Sequence, residues 1–310
     1  MVYDKYGRPV TNLRVSITQR CNYKCPYCHK EGEYYPSVEM TPSEIESVTN
    51  VAAGFGVNKV KITGGEPLLR GDVVEIVDKI AHTPGIEEVS MTTNSSRLAK
   101  IATELKKAGL KRVNITLPTA NPELYHEITG GNLDEAISGI RAAVKAGLNP
   151  VKLNMVVLRD VNYEEVDRMI EFARKEGVTL QLIELEPLNV SPEYYRKHFV
   201  SLEDIEEKLK KKASKVDVRR YMQSRRIYHL EGVDVELVRP IENSEFCFHC
   251  TRIRLTSDGK LKPCLMRNDN VVDIAKPLKS GADNKVIMNL YLEAVNRREP
   301  FYKPIKKQMT

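Results

Sequence analysis

Six cysteines stand in two groups of three: Cys21, Cys25 and Cys28 near the start, Cys247, Cys250 and Cys264 near the end. Two odd-numbered, tightly spaced groups make a poor disulfide framework, and in a reducing compartment such spacing points to metal. Soft thiolates at these spacings can wrap iron–sulfur or zinc. The first group, Cys21-Asn-Tyr-Lys-Cys25-Pro-Tyr-Cys28, has the spacing C-x3-C-x2-C. Three thiolates can hold three irons of a [4Fe–4S] cube and leave the fourth iron open to a ligand, whereas a structural zinc wants four ligands. His29, adjacent to Cys28, is badly placed to complete such a set. In the second group, zinc with His249 or an outside ligand as the fourth is the plain structural reading. An open iron gripping a substrate nitrogen is the chemical one. Arg252 and Arg254 lie two apart between these cysteines, so on a strand they share a face and can grip phosphate oxygens in a planar fork.

The surrounding pattern must position these groups. Short apolar, strand-like runs cover 13–18, 58–63, 87–92, 111–117, 151–157 and 179–185, with helix-like stretches at 42–54, 71–82, 97–108, 133–146 and 163–176. Thr41-Pro42-Ser43-Glu44 combines an N-cap, a first-turn Pro and a capping-box Glu. Asn132 and Asn162 are expected to cap their helices, and Gly109, Gly147 and Gly177 to stop theirs. Such alternation predicts parallel strands with right-handed crossovers. Six units fall short of a closed barrel's eight, so residues 1–186 read as an incomplete six-stranded (β/α) barrel of the α/β class, with a doubly wound sheet as the alternative. After Pro187 the alternation stops. A helix at 201–212, hairpins around Glu231-Gly232 and Ser257-Asp258-Gly259, and a last helix near 283–297 suggest a separate α+β unit over residues 187–310. The first cysteine group then follows the first strand, at the face where barrels do chemistry.

Strand parity adds to this. Leu13, Val15 and Ile17 share one face of the first strand, and Arg14, Ser16 and Thr18 the other. The same split sets apart Lys61 and Thr63, Ser90 and Thr92, Asn114 and Thr116, and Lys152 and Asn154. A small packed barrel is apolar on both strand faces. A polar inner face carrying Arg14, Lys61 and Lys152 predicts a wide lumen for a large anionic ligand. Composition excludes other classes. No run of 18 apolar residues occurs, and the start Met1-Val-Tyr-Asp-Lys has no signal-peptide core, so the expected address is the cytoplasm. The net charge of +6 permits an anionic partner. Much of it sits in 208–215 and around Arg219, Arg220, Arg225 and Arg226, read as a solvated helix face and an exposed edge. With no Trp and few Phe, a base-stacking platform is not suggested.

C-x3-C-x2-C with an aromatic before its third cysteine, after the first strand, resembles the radical S-adenosylmethionine (SAM) superfamily. Thr63-Gly64-Gly65-Glu66-Pro67 after the second strand agrees: in that superfamily this segment holds the amino group of SAM's methionine, with glycines for close approach and a carboxylate to complement the ammonium. The second group, C-x2-C-T-R-x-R…C, extends the likeness over nearly the whole chain to the GTP 3′,8-cyclase family of molybdenum cofactor biosynthesis, the MoaA family. The resemblance implies a lyase with two [4Fe–4S] clusters, on Cys21, Cys25 and Cys28 and on Cys247, Cys250 and Cys264. It places SAM contacts on Tyr27, Gly64, Gly65, Glu66, Thr116 and Glu186. It places GTP contacts on Arg14, Lys61, Thr92, Lys152, Arg252 and Arg254, the last two also catalytic. Reductive cleavage of SAM would give a 5′-deoxyadenosyl radical that takes the 3′ hydrogen of GTP, and closure onto C8 would give 3′,8-cyclo-7,8-dihydro-GTP.

The chain departs from the family in places. Thr116-Leu117-Pro118 stands where Ser-Leu-Asp is common, Ser95 where Gly is, and Lys306-Lys307-Gln308-Met309-Thr310 where many members end in Gly-Gly. The partners implied are GTP as substrate, an electron donor, the next enzyme of the pathway and a second copy in a homodimer, with no membrane and no nucleic acid. Two rivals remain at this level. A peptide-maturing radical SAM enzyme would carry more C-terminal cysteines. A zinc-binding structural protein would leave Gly64-Gly65-Glu66 unexplained.

Overall fold

The computed structural model describes residues 1–33 and 38–303, so the terminal Lys306–Thr310 departure lies outside the described residues. The first part alternates as expected: β1 Asn12–Ser16, α1 Pro42–Gly54, β2 Lys59–Thr63, α2 Val73–Ala81, β3 Glu88–Thr93, α3 Leu98–Lys107 and β4 Leu110–Thr116. After α4 Pro122–Thr129 and α5 Leu133–Lys145 come β5 Val151–Val157, α6 Val166–Glu176 and β6 Thr179–Glu184. The second part holds α7 Pro192–His198, α8 Glu203–Lys212, β7 Lys215–Arg219, β8 Arg225–Leu230, β9 Val233–Val238 and α9 Ser244–Phe248. It ends with β10 Arg252–Leu255, β11 Lys260–Lys262, β12 Val272–Asp273, α10 Ala275–Lys279 and α11 Asn284–Asn296. The short α4, α7, α9 and α10 and the strands β7 and β12 go beyond the elements expected.

Local chemistry accounts for the boundaries. Thr41 N donates to Glu44 Oε2 at 2.7 Å while Thr41 Oγ1 accepts from Glu44 N at 3.3 Å, closing the capping box of α1. Asn132 accepts from Asp134 N at 2.8 Å and starts α5, and Gly177 (φ 66°) stops α6. Asn162 does not cap. It is buried, accepts from Leu158 N at 2.7 Å and donates to the carbonyls of Pro118 (3.0 Å) and Val156 (2.9 Å). Its amide is worth more tying β4 to β5 than at a solvent-exposed helix start.

Among the described residues, twelve strands belong to one open sheet, in the order β12-β11-β10-β1-β2-β3-β4-β5-β6-β9-β8-β7. The six expected strands are parallel and in sequence, giving the incomplete β/α barrel. The strands after Pro187 do not form a sheet of their own. β10 adds in parallel to β1, and β9 in parallel to β6, so the later segment extends both edges of the barrel wall. The outer face of the wall is apolar: Leu13, Val15, Ile62, Met91, Ile115, Leu153 and Leu182 are sealed beneath the helices. Burial of each such side chain contributes roughly 1.5–3 kcal/mol, which fixes register and so sends every alternate polar residue to the lumen. Among the described residues no helix is long and apolar enough to cross a membrane.

Candidate active site

One cavity, walled by the inner face of the sheet and the loops at the strands' C-terminal ends, is lined by every site residue expected from the sequence. Cys21, Cys25 and Cys28 follow β1. Their loop is held by Ile17 N to Thr63 O (2.9 Å) and Lys24 N to Thr129 O (3.0 Å), with Tyr23 edge-on to Tyr125. Burial pushes all three thiols up, Cys25 to about 12, and Cys28 adds to the rise of both Cys21 and Cys25. Thiols with raised pKa values keep their protons until a metal takes the thiolates, so ligation would draw those protons off. Cys247, Cys250 and Cys264 line the opposite side of the same cavity. Burial pushes the Cys250 thiol up, but Arg298 and Arg252 outweigh it and leave it lowered. Arg298 donates to Cys250 O at 2.6 Å and Arg8 to Cys247 O at 2.9 Å, and buried Asp4 pairs with both arginines (3.1 and 2.8 Å).

The donor sets fit a cluster better than a single ion. Among the described residues no three His, Cys, Asp or Glu side chains converge on a point that could hold one metal ion, as structural zinc requires. A cube would take one thiolate at each of three separate iron corners, which suits three cysteines with no fourth protein ligand. The histidines are engaged elsewhere. His29 Nδ1 accepts from Glu31 N at 3.0 Å, and His249 Nδ1 lies 2.9 Å from Glu245 O on the exposed side of α9.

The Gly64-Gly65-Glu66 segment follows β2 and lies against the start of the first cysteine loop. Gly65 N donates to Thr18 O and Glu66 N to Arg20 O, both at 2.7 Å. Gly64 has φ 151°, open to glycine and rare for other residues. Glu66 lines the cavity and is anchored by the chain itself. Its carboxylate is buried and accepts from Leu68 N (2.9 Å), Thr93 Oγ1 (2.7 Å) and Asn94 N (2.6 Å). Most of its acceptor capacity is therefore spent on the chain's own donors, and it fixes the shape of the segment. Tyr27 is buried with an unpartnered hydroxyl, Thr116 stands at the end of β4, and Glu186 lies 4.0 Å from His29 Nε2.

The lumen is an array of cations. Arg254 on β10 stands beside Arg14 on β1, which stands beside Lys61 on β2; the row continues through Ser90 on β3 to Arg112 on β4. Arg252 lines the cavity two residues before Arg254. Lys61 donates to Asn114 Oδ1 at 2.8 Å, and its ammonium is pushed well below its ordinary range by burial and then by Arg112, Arg14 and Arg252. Burial and neighbouring arginines do the same to Arg252. The Nε groups of Arg14 and Arg254 are buried without a hydrogen-bond partner. Glu31 answers part of this charge. It takes Arg14 at 2.7 Å, Thr63 Oγ1 at 3.0 Å and Arg254 at 3.8 Å. Burial pushes its carboxyl up, but Arg14, His29 and Arg254 hold it at about 2. Lys152 comes to the lumen already paired with fully buried Glu236 on β9, and Thr92 lines the wall between.

Several lumen residues escaped the sequence reading. Arg112 shares the parity of Asn114 and Thr116, so the pattern already in use could have found it. Glu236 shares β9's inward parity with Asp234 and Val238. Arg219 and Arg225, assigned to an exposed edge, line the cavity. Asp4, Arg8 and Arg298 carry no local signal, since they meet only in the fold. Ser95, where glycine is common, is buried with φ 62°, and that left-handed backbone is held by Ser95 N donating to Thr93 Oγ1 (2.9 Å) and Ser95 Oγ donating to Ala136 O (2.8 Å).

The comparisons with known proteins agree with this geometry. Residues 15–173 match the model of the radical SAM superfamily, and residues 178–304 that of Molybdenum Cofactor Synthesis C. A protein of Methanothermobacter marburgensis named "Probable GTP 3',8-cyclase" is 45% identical over 97% of this chain and 99% of its own length. Its namesake in Thermococcus kodakarensis is 47% identical over 98% and 100%. Among solved structures, Streptococcus suis SuiB bound to precursor peptide SuiA superposes with a TM-score of 0.67 at 17% identity, covering 95% of this chain and 66% of that one. Native anSMEcpe with bound AdoMet gives 0.56 at 17% identity, covering 84% and 76%. At that identity these two speak for the fold alone.

Proposed function

The chain belongs to the radical SAM superfamily and, within it, to the family of the GTP 3′,8-cyclases; we infer that it converts GTP to 3′,8-cyclo-7,8-dihydro-GTP in one cavity between two [4Fe–4S] clusters. We assign the first cluster to Cys21, Cys25 and Cys28 with residues 1–186, and the second to Cys247, Cys250 and Cys264 with residues 187–310. Bound there, a reduced cluster and SAM would supply the electron and the carbon-radical chemistry.

The chain's own residues do the rest. Gly64 and Gly65 expose backbone beside the first cysteine loop, where SAM's amino acid end would lie, with Tyr27, Thr116 and Glu186 around it. Arg14, Lys61, Arg252 and Arg254, with Thr92 and Lys152 further along the wall, would bind the triphosphate and so fix the ribose between the cysteine trios. The walls exclude water from a reactive carbon. An electron donor would deliver reducing equivalents, the next enzyme of molybdenum cofactor biosynthesis would take the product, and the cytoplasm is the assigned address.

The observation that carries this reading is the row Arg254–Arg14–Lys61, buried or half-buried, under-neutralised and on the wall of the cavity that both thiol trios line. Anaerobic turnover of the reconstituted protein with SAM, a reductant and GTP tests it. Cyclised product is expected. SAM cleavage unaffected by GTP, with no cyclised product, would overturn it.

A further inference from the structure

Two arginines of a run that the sequence places on an exposed edge turn inward. The segment joining β7 to β8 passes through Gln223 and Ser224, both in left-handed backbone (φ 67° and 52°). β8 then sends Arg226 outward to Glu206 at 2.8 Å and Arg225 into the lumen. The Arg225 side chain is only 10% exposed, and it is fixed from three sides. Its Nη1 lies 3.5 Å from Glu236 Oε1, its Nη2 donates to Gln223 Oε1 at 2.7 Å, and its guanidinium lies 5.8 Å from the Phe246 ring centre, one residue before Cys247. Its Nε is buried without a partner.

The local charge does not balance. Glu236 is a single carboxylate shared by Lys152, Arg219 and Arg225, so three positive charges meet one negative. Arg225 is also among the charges that push down both Lys61 and Arg252. A rigid, buried guanidinium with a free N–H, facing other cations across a cavity, is built for an anion with several oxygens. We propose that Arg225, held in place by Glu236 and Gln223, is a phosphate-binding residue of the substrate pocket and makes the pocket prefer guanosine triphosphate to guanosine nucleotides with fewer phosphates. This rests on the GTP reading above.

The test is anaerobic equilibrium binding of GTP, GMP and guanosine to the reconstituted two-cluster protein. Wild type is compared with Arg225→Gln, Arg225→Lys and Arg220→Ala, the last an exposed arginine outside the cavity. Arg225→Gln is expected to weaken GTP by about ten- to a hundredfold, the span of one charged phosphate contact, and guanosine by less than about twofold. Arg225→Lys keeps the charge without the fork and should recover part of that loss. Arg220→Ala should match wild type. An unchanged GTP-to-guanosine affinity ratio in Arg225→Gln overturns the proposal. If that variant does not fold, an unchanged ratio in Arg225→Lys does so instead. A wild type that binds GTP no more tightly than guanosine overturns the GTP reading itself.

Discussion

Replacing Gly65 with alanine should uncouple the SAM segment from the first cysteine loop. A Cβ on Gly65 would lie 2.2 Å from Arg20 O, 2.7 Å from Arg20 C and 2.8 Å from Gln19 O. Ordinary contact begins near 3.4 Å, so the two strands of backbone must part by 3.4 − 2.2 = 1.2 Å. All three atoms are main chain, so no rotamer change relieves the overlap. The same gap is bridged by Gly65 N to Thr18 O and Glu66 N to Arg20 O, each 2.7 Å, and a displacement of that size would carry both towards 3.9 Å, beyond hydrogen bonding. Overpacking costs ~1–3 kcal/mol and two lost hydrogen bonds ~0.5–1.5 kcal/mol each, together about 2–6 kcal/mol. Misplacement of a reacting group by about 1 Å is worth roughly a hundredfold in rate. Gly65→Ala should therefore unfold several degrees lower and form 5′-deoxyadenosine about a hundredfold more slowly, while its GTP affinity stays near wild type, because the cations stand on other strands. Gly71→Ala, which meets nothing within 4 Å, is the control and should be silent. Wild-type melting and SAM turnover in Gly65→Ala, measured by calorimetry and anaerobic product analysis, would refute the argument from close approach.

Other substitutions probe the remaining parts. Cys25→Ala should abolish SAM cleavage, whereas Cys250→Ala should keep uncoupled cleavage and lose cyclised product; iron analysis should fall from about eight per chain to about four in each. Glu31→Gln leaves Arg14 and Arg254 facing each other without their shared carboxylate. Breaking such a buried pair costs about 3–5 kcal/mol, so the nucleotide-free variant should melt early and GTP should raise its melting temperature more than it does for wild type. His229 lies 2.8 Å from Asp234 and 2.9 Å from Asp217, and these carboxylates raise its pKa above the ordinary 6.5. The imidazolium's contribution is thus fully present below pH 6.5 and is lost as pH rises through the raised value. Urea midpoints of wild type and His229→Gln should converge on raising the pH; a difference that grows would contradict the pairing.

What could be read from the chain and what could not divide along a physical line. The alternation 13–18 is legible because burying Leu13, Val15 and Ile17 under helices leaves Arg14 no side to face but the lumen. Each barrel strand repeats that logic independently, so Lys61 and Lys152 emerge from their own local patterns. The cysteine spacings are local too. Partnership is not. Lys152 and Glu236 are 84 residues apart, Arg298 meets Cys250 from 48 away, and nothing near either member announces the other. The short edge strands β7 and β12 bury little, so propensity and pattern are both weak there, and Arg225 looks like any exposed arginine until two left-handed residues turn it inward. Parity can therefore count the cations that enter the lumen, but only the fold shows which of them are already neutralised. Lys152 arrives with a carboxylate, and Arg14 and Arg254 share one. Arg252 is left with none in direct contact among the described residues. The unmet charge lies where β10 joins β1, beside the second cysteine trio. A polyanion seated there would meet residues of both parts of the chain, because β10 of the later segment pairs directly with β1 of the barrel.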